Sequence, residues 1–528
     1  MHAIEDLGLL KFDFLGIRNL AILENAVELV KKFRMIDIDI EAIPMDDKKT
    51  FTLLESGETI GLFQLNGSGM TRYLKELKPN SIHDINVMVA LYRPGPINNI
   101  DEYIARKNGA KPVTYVHPKM KNFLARTYGV LVYQDDLLMT AIEVAGYGWG
   151  EVDKFRKAVG KKIPEEMAKQ HVIFVDGCVN HGGMQRGDAE RLWALFEPFQ
   201  GYGFNKAHAA SYGRLAYQTA YMKANFPGEY MTAVLTADSG DIEKVAEIIA
   251  ECTRMNIPVL APDVNESFAK FTLIRGSGSD TPPQDKIRFG LESIKNVGVN
   301  IVEAIIDARK KGPDKKFSSI TDFIEGVRHK DLNKKSLEAL IRCGAMDGLG
   351  ERGELLGNIE IVLEYARDHQ RHLSQGQASL FSLTPDVRIS SIKLKPMPPA
   401  NKKERLQWEK ELLGLYVTEH PLEEYREKLH NNVIPIRDLK DRSKNTLLRI
   451  GGLISGVKKI ITKTGSPMLF VTLEDLTGKI EALVFPRVLE KNPEVWQEEK
   501  IVIVKGRLSD GGRDDSVKIL CEDAEEIR

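Results

Sequence analysis

Near residue 445 the hydrophobic period of this chain changes, and that change constrains the fold more than any other feature. Beyond it, LLRIGGLISGVKKI, MLFVTLED, GKIEALVF, KIVIVKGRLS and DSVKILCED are five strand-like runs separated by Gly, Asp and Thr turns. Five short strands between 445 and 528 predict a β-barrel of the OB type. Upstream, from Phe51 to about Asn265, apolar residues recur mostly at helical steps, with loops at LYRPGP, VYQDD and GYGFNK. A chain of 528 residues that switches period in this way is mixed and multidomain.

The helical part turns around GYGFNKAHAASYG (201–213), where glycines bracket two aromatics before an Ala-rich helix. Free N–H groups at that helix start, with Asn205, Lys206 and His208 beside them, read as an anion site. A turn that packs Tyr202 and Phe204 on the core reads as well. In DKFRKAVGKK (153–162), five cations, Lys154, Arg156, Lys157, Lys161 and Lys162, face one acid, Asp153. With Arg93 they form a local positive field for polyphosphate or nucleic acid, or a solvated helix face.

At the start of the chain, LGLLKFDFLG alternates, with Leu10, Phe12 and Phe14 on one face of a predicted strand and Lys11 and Asp13 on the other. Asp13 beside Lys11 is either a divalent-cation ligand or an exposed ion pair. Leu20, Leu23, Val27 and Val30 predict an amphipathic helix. Asp37, Asp39 and Glu41 look like a metal-binding DxD, but DIEAIPMDD also reads as capping and turn chemistry around Pro44.

GSGSDTPPQD (276–285) is a domain edge or exposed loop. After it, SIKNVGVNIVEAIIDAR resembles a helix-hairpin-helix, with Lys295, Asn296 and Gly298 at the turn toward DNA phosphate. Asn300 stands where a second Gly is usual, so a plain αα-hairpin is equally open. LEALIRCGAMDGLGERGELL (337–356) is its degenerate partner. In QASLF, Gln377, Ala378, Ser379, Leu380 and Phe381 have the layout of a clamp-binding peptide. KKERLQWEKELLGLYVTEHPLEEYREKL reads as helix, short strand, helix. On the barrel, Lys458, Lys459, Lys463, Phe470, Phe485 and Arg507 line a single-strand groove, or else the phenylalanines are barrel core.

Charge is nearly balanced, 74 basic against 75 acidic residues, which excludes an evenly basic nucleic-acid coat but not local grooves. Cys178, Cys252, Cys343 and Cys521 are scattered without CxxC spacing, as in a protein of a reducing compartment. With no leader-like start and no run of about 18 apolar residues, the expectation is a cytoplasmic protein that does not engage a membrane.

Taken in order, LLKFDFLG, GLFQLNGSGM, LYRPGP, YGVLVYQDD, FRKAVGKK, GYGFNKAHAASY, QASLF and ELLGLYVTEHPL resemble the bacterial DNA polymerase III alpha subunits, the C-family replicative polymerases. The resemblance implies the end of a palm at 1–20, helical fingers at 21–275, a helix-hairpin-helix and clamp-binding domain at 276–440, and an OB barrel at 441–528. It implies that Asp13 is the third palm carboxylate of a two-Mg²⁺ site, with Lys11 beside it. Arg93, Arg156, Lys157, Lys161, Lys162, Asn205, Lys206 and His208 then face nucleotide or template. Implied partners are primer-template DNA, single-stranded template, dNTP, a sliding clamp and other replicative subunits. Met1 falls inside the family pattern, so a phosphatase-like domain, the thumb and most of the palm are expected elsewhere, with a separate N-terminal polymerase piece among the implied partners. Asp37 and Asp39 follow Asp13, whereas the family's paired aspartates precede it, so they do not replace that pair. Asn66 and Gly67 depart from an expected Glu-Ser, and the pattern stops after the barrel. The implied function is template-directed DNA synthesis, incomplete in this chain. The alternative is a non-catalytic DNA- and clamp-binding protein.

Overall fold

A computed structural model describes residues 7–10, 12, 14–161, 164–196, 199, 203–276, 284–312, 315–374, 391–430, 433–439, 442–462, 465–510 and 517–527. It divides into two units, Met1–Val259 with Ser267–Ser293, and Leu260–Glu266 with Ile294–Arg528.

The first unit is helical. Its helices used below are α1 Arg18–Arg34, α2 Lys48–Ser56, α3 Ser68–Leu77, α4 Ile82–Leu91 and α5 Ile100–Lys107, then α6 Gln134–Glu143, α7 Trp149–Lys161, α8 Pro164–Asn180 and α9 Arg186–Ala194. The last three are α10 Lys206–Asn225, α11 Pro227–Asp238 and α12 Ile242–Arg254. Helix α10 packs on α2 and α4. Its small residues allow close approach: at Gly213 a Cβ would collide with Asn86 of α4. Side chains set the helix starts. Asp47 accepts the Thr50 N–H (2.8 Å) at α2, and Asp84 accepts the Ser81 N–H (3.3 Å) at α4.

Two buried ion pairs fasten this unit. Lys223 of α10, fully buried, donates to Glu251 of α12 (2.6 Å) and to the carbonyls of Glu58 and Ile60 (2.8 Å each), so every ammonium proton is used. Glu229 of α11, also fully buried, accepts both arms of Arg34 (2.5 and 2.9 Å). A separate apolar core holds α6 to α9, with Leu137, Phe155, Phe174, Leu192 and Phe196 in one cluster. The antiparallel hairpin β1 Thr272–Ile274 and β2 Lys286–Arg288 pairs Leu273 with Ile287. It belongs to the first unit, so 276–285 is not the edge of that unit.

In the second unit α13 Val299–Lys311 and α14 Ile320–Gly326 precede α15 Lys334–Arg342, α16 Arg352–Gly357 and α17 Ile359–Ser374. Between α15 and α16 the chain turns through Gly344 at φ +86°. There a Cβ would collide with the Arg352 guanidinium. Arg352 is buried and grips Asp347 with two bonds (2.8 Å each). On α18 Lys402–Leu413, the fully buried Glu409 accepts the Thr418 N–H (3.1 Å), which is what the VTEHPL motif is shaped around.

The C-terminal strands β3 Leu447–Ile461, β4 Pro467–Glu474, β5 Lys479–Val484, β6 Ile501–Asp510 and β7 Val517–Glu526 close as β3-β4-β5-β7-β6. Strand β3 serves two neighbours. Its first half pairs with β6 (Ile450↔Val504), and after a bulge between Ile454 and Gly456 its second half pairs with β4 (Lys458↔Phe470). Parallel pairing of β5 with β7 (Ala482↔Ile519) completes the barrel. The five-stranded expectation holds.

Several local expectations do not. Among the described residues of 7–17 there is no strand, and Leu10 (81%), Phe12 (70%) and Phe14 (93%) are exposed. A lone alternating segment has no ladder to satisfy its backbone. Helix α1 buries Ile22, Leu23, Ala26 and Val30, leaving Leu20 54% exposed. The apolar run before Gly298 is a 3₁₀ turn, Leu291–Ser293, rather than a helix. No strand forms at 413–417, where Glu409 captures the backbone instead. Phe470 is half-buried and Phe485 42% exposed, so neither is barrel core, which Val471, Leu473, Val502, Val504 and Ile519 fill.

Candidate nucleotide and nucleic-acid site

The start of α10 gathers the cations of two loops. Arg93, on the turn after α4, lies over the Phe204 ring (5.3 Å), and Lys206 Nζ lies over Tyr133 (5.6 Å). The exposed His208 ring sits between Phe204 (5.1 Å) and Tyr212 (4.1 Å), and Tyr212 continues to Phe63 of the GLFQL motif (5.2 Å). Phe204 is buried while Asn205, Lys206 and His208 are exposed, so the turn packs its aromatic and presents its polar groups. Gly201 and Tyr202 lie outside the described residues.

The backbone N–H groups of this helix start are not available as expected. Asn205 Oδ1 accepts the His208 N–H (2.9 Å), and Asp135 Oδ2 accepts the Lys206 N–H (2.9 Å). What the site presents is therefore the Lys206, Arg93 and His208 side chains rather than a bare helix end. Arg93 Nε is buried without a hydrogen-bond partner among the described residues.

The VYQDD motif, read as a loop, opens α6 and supplies residues that sequence reasoning missed. Asp136 accepts the N–H groups of Val132 (3.0 Å) and Tyr133 (2.9 Å). Burial pushes its carboxyl up to about 6 against those bonds and the nearby Lys206. Gln134 N–H donates to the Phe204 carbonyl (3.0 Å), tying α6 to the turn before α10. The signal was present in sequence: two aspartates in the first turn of a helix are capping residues as well as catalytic candidates.

The other candidates stand apart. Arg156 and Lys157 are exposed on α7 and both pair with Asp153 (2.9 and 2.8 Å). Lys11, Asp13, Lys162, the Lys161 side chain, Lys463 and QASLF (377–381) lie outside the described residues. Asp39 accepts the Glu41 N–H (3.0 Å), and Asp37 pairs with Lys31 (3.1 Å), so the DxD is turn chemistry. Among the described residues no group of three or more His, Cys, Asp or Glu could hold a metal. Asn66 lines a cleft with Arg18, Asp238 and Lys244, where Arg18 is already paired with Asp238 (2.7 Å).

Lys295 donates its N–H to Leu412 (3.0 Å), Asn296 adopts φ +72°, and Gly298 is the N-cap of α13 at φ −81°. On the barrel, Lys458 and Lys459 are exposed, Phe470 faces outward beneath Lys518 Nζ (5.9 Å), and Phe485 caps a short helix. Arg507 is taken by Glu522 (2.7 Å). No helix of the described residues is long and apolar enough to cross a membrane.

Residues 19–182 match the model of the bacterial DNA polymerase III alpha subunit finger domain, 256–355 a helix-hairpin-helix motif, and 448–527 an OB-fold nucleic acid binding domain. The DNA polymerase III subunit alpha of Saccharopolyspora erythraea is 39% identical over 98% of this chain and 44% of that protein. Along nearly all of its length this chain is similar to DNA polymerase III alpha subunits. The alpha subunits of Pseudomonas aeruginosa and Aquifex aeolicus are each 38% identical, over 96% and 99% of this chain and 45% and 43% of their own lengths. The chain thus spans less than half the length of these family members. The matched finger domain ends at 182, before α10, so the Lys206 cluster lies outside it.

Proposed function

We propose that these residues supply the fingers, hairpin and barrel of a template-directed DNA polymerase that acts in the cytoplasm. The observation that carries this reading is the order of three family segments along one chain at 39% identity. The geometry supports it at the start of α10. Lys206 and Arg93, each held over an aromatic ring, present positive charge on one side of the fingers where a nucleotide triphosphate can be gripped. The exposed His208 ring and the half-buried Tyr212 add π-faces beside that charge. Arg156 and Lys157 add exposed cations on α7, and Lys161 and Lys162 follow them in sequence.

In this reading, the reaction joins a primer 3′-hydroxyl to the α-phosphorus of a dNTP, releasing pyrophosphate. Among the described residues no group of three or more His, Cys, Asp or Glu gathers for Mg²⁺. Its ligands would be Asp13 and carboxylates outside the described residues. The helix-hairpin-helix and the Lys458, Lys459 and Phe470 face hold primer-template and single-stranded DNA, QASLF docks on the sliding clamp, and other replicative subunits complete the assembly. The test is primer extension. The 528-residue chain alone makes no product, and mixing it with a separately produced palm-bearing piece restores synthesis, which Asp13→Asn abolishes. Extension by the chain alone that survives Asp13→Asn would overturn the reading.

A further inference from the structure

The GYGWG turn that opens α7 leaves one large side chain with nothing to pack on. Trp149 is 77% exposed and has no ring or cation contact with any described residue. The other tryptophans, Trp193, Trp408 and Trp496, are buried or half-buried, as an indole ordinarily is. A single exposed aromatic needs no explanation by itself. What surrounds this one does.

Helix α7 buries Val152, Phe155, Ala158 and Val159. At about 100° per residue, Trp149, Asp153 and Lys157 fall in line on the opposite face, with Arg156 flanking the row. Asp153 holds Arg156 (2.9 Å) and Lys157 (2.8 Å) side by side. Over 149–161 four cations oppose two acids, a net +2 on a helix whose apolar groups, Trp149 apart, mostly face inward. From Trp149 to Lys157 the row runs about 12 Å along the axis. Gly150 beside the indole has nothing within 4 Å of where a Cβ would stand, so a flat group can approach.

We propose that this face is a contact for single-stranded nucleic acid, in which the Trp149 indole stacks on a nucleobase and Arg156 and Lys157 meet phosphates of the same strand. The inference rests on the nucleic-acid reading above and adds the aromatic member to it. An exposed π-face at one end of a cation row is how single strands are held without base readout. A duplex has its base faces already stacked, and an apolar protein partner would not be met by a row of cations.

The test uses the full chain with Lys458→Ala and Lys459→Ala as background, so that barrel binding does not mask the result. Oligothymidylate, a duplex of mixed sequence and free dNTP are titrated while affinity and tryptophan emission are followed. Trp149→Leu is expected to weaken oligothymidylate binding about tenfold and to remove most of the quenching, with circular dichroism unchanged. Trp149→Phe is expected to lose less than about threefold, because a ring remains. If the background protein binds the strand and Trp149→Leu binds it equally well, stacking is overturned while the nucleic-acid reading stands. Quenching by dNTP or duplex equal to that by the strand overturns the assignment to a single strand. If neither this background nor the unaltered chain binds any of the three, the nucleic-acid reading falls and the inference with it.

Discussion

At the start of α10 a carboxylate sits where an incoming phosphate would have to be balanced by cations, because Asp135 accepts the Lys206 N–H. In the proposed function, nucleotide binding then rests on Lys206 and, on α7, on Arg156. A Lys206→Ala, Arg156→Ala double variant is expected to weaken dNTP binding and flatten its salt dependence, read by titration at several ionic strengths. Asp136 makes a second prediction. Its carboxyl rises from 3.8 to about 6 on folding, so it binds a proton more tightly folded than unfolded. The stability this lends is full below about pH 3.8 and lost as pH rises through about 6. Asp136→Asn, which can still accept the two N–H groups, is expected to gain on the unaltered protein from about pH 4 to about pH 8, by on the order of 3 kcal/mol in denaturant melts. The charge of Lys206 was legible in sequence. Its anchoring was not, since Asp135, which accepts its N–H, lies 71 residues away.

Among the elements, the barrel was the most legible, because strand alternation is a local property that survives without knowledge of the neighbours. Its edges were less so. Ile436 and Leu439 stand before the first strand, yet both are buried in the barrel core, and Ile436 N–H donates to Asp475 (2.8 Å). A fragment of 445–528 is therefore expected to fold and to bind single-stranded DNA in a salt-sensitive way, but to be less stable than one starting at 433. The difference is on the order of 3 kcal/mol by denaturant titration, the burial of two aliphatic side chains. The outward placement of Phe470, paired across from Lys458, puts an aromatic and a cation on one face, whereas alternation within β4 alone left its inside and outside undecided. At the chain's start the same alternation misled, because a strand pattern without a neighbouring strand leaves Leu10, Phe12 and Phe14 in solvent.

As a whole molecule, this chain is expected to act within an assembly. Truncating Leu380 and Phe381 of QASLF to Ala should cost about 2 kcal/mol each in affinity for the sliding clamp, measured by calorimetry or surface plasmon resonance. Unchanged affinity in the double variant would remove that tether. The order of motifs, the helical and strand periods and the likeness to DNA polymerase III alpha subunits were determined by sequence, since each is carried by residues near one another along the chain. Tertiary structure alone decided where the buried charges go. Lys223 and Glu229 look like solvated helix residues in sequence, yet both are fully buried and paired with Glu251 and Arg34. A charge can enter a core only when a specific distant partner and several carbonyls arrive with it, and helical or strand periodicity holds no record of that meeting. The same is true of Arg93, which meets Phe204 beside Lys206 and His208 where α10 lies directly on α4, a packing that Gly213 permits.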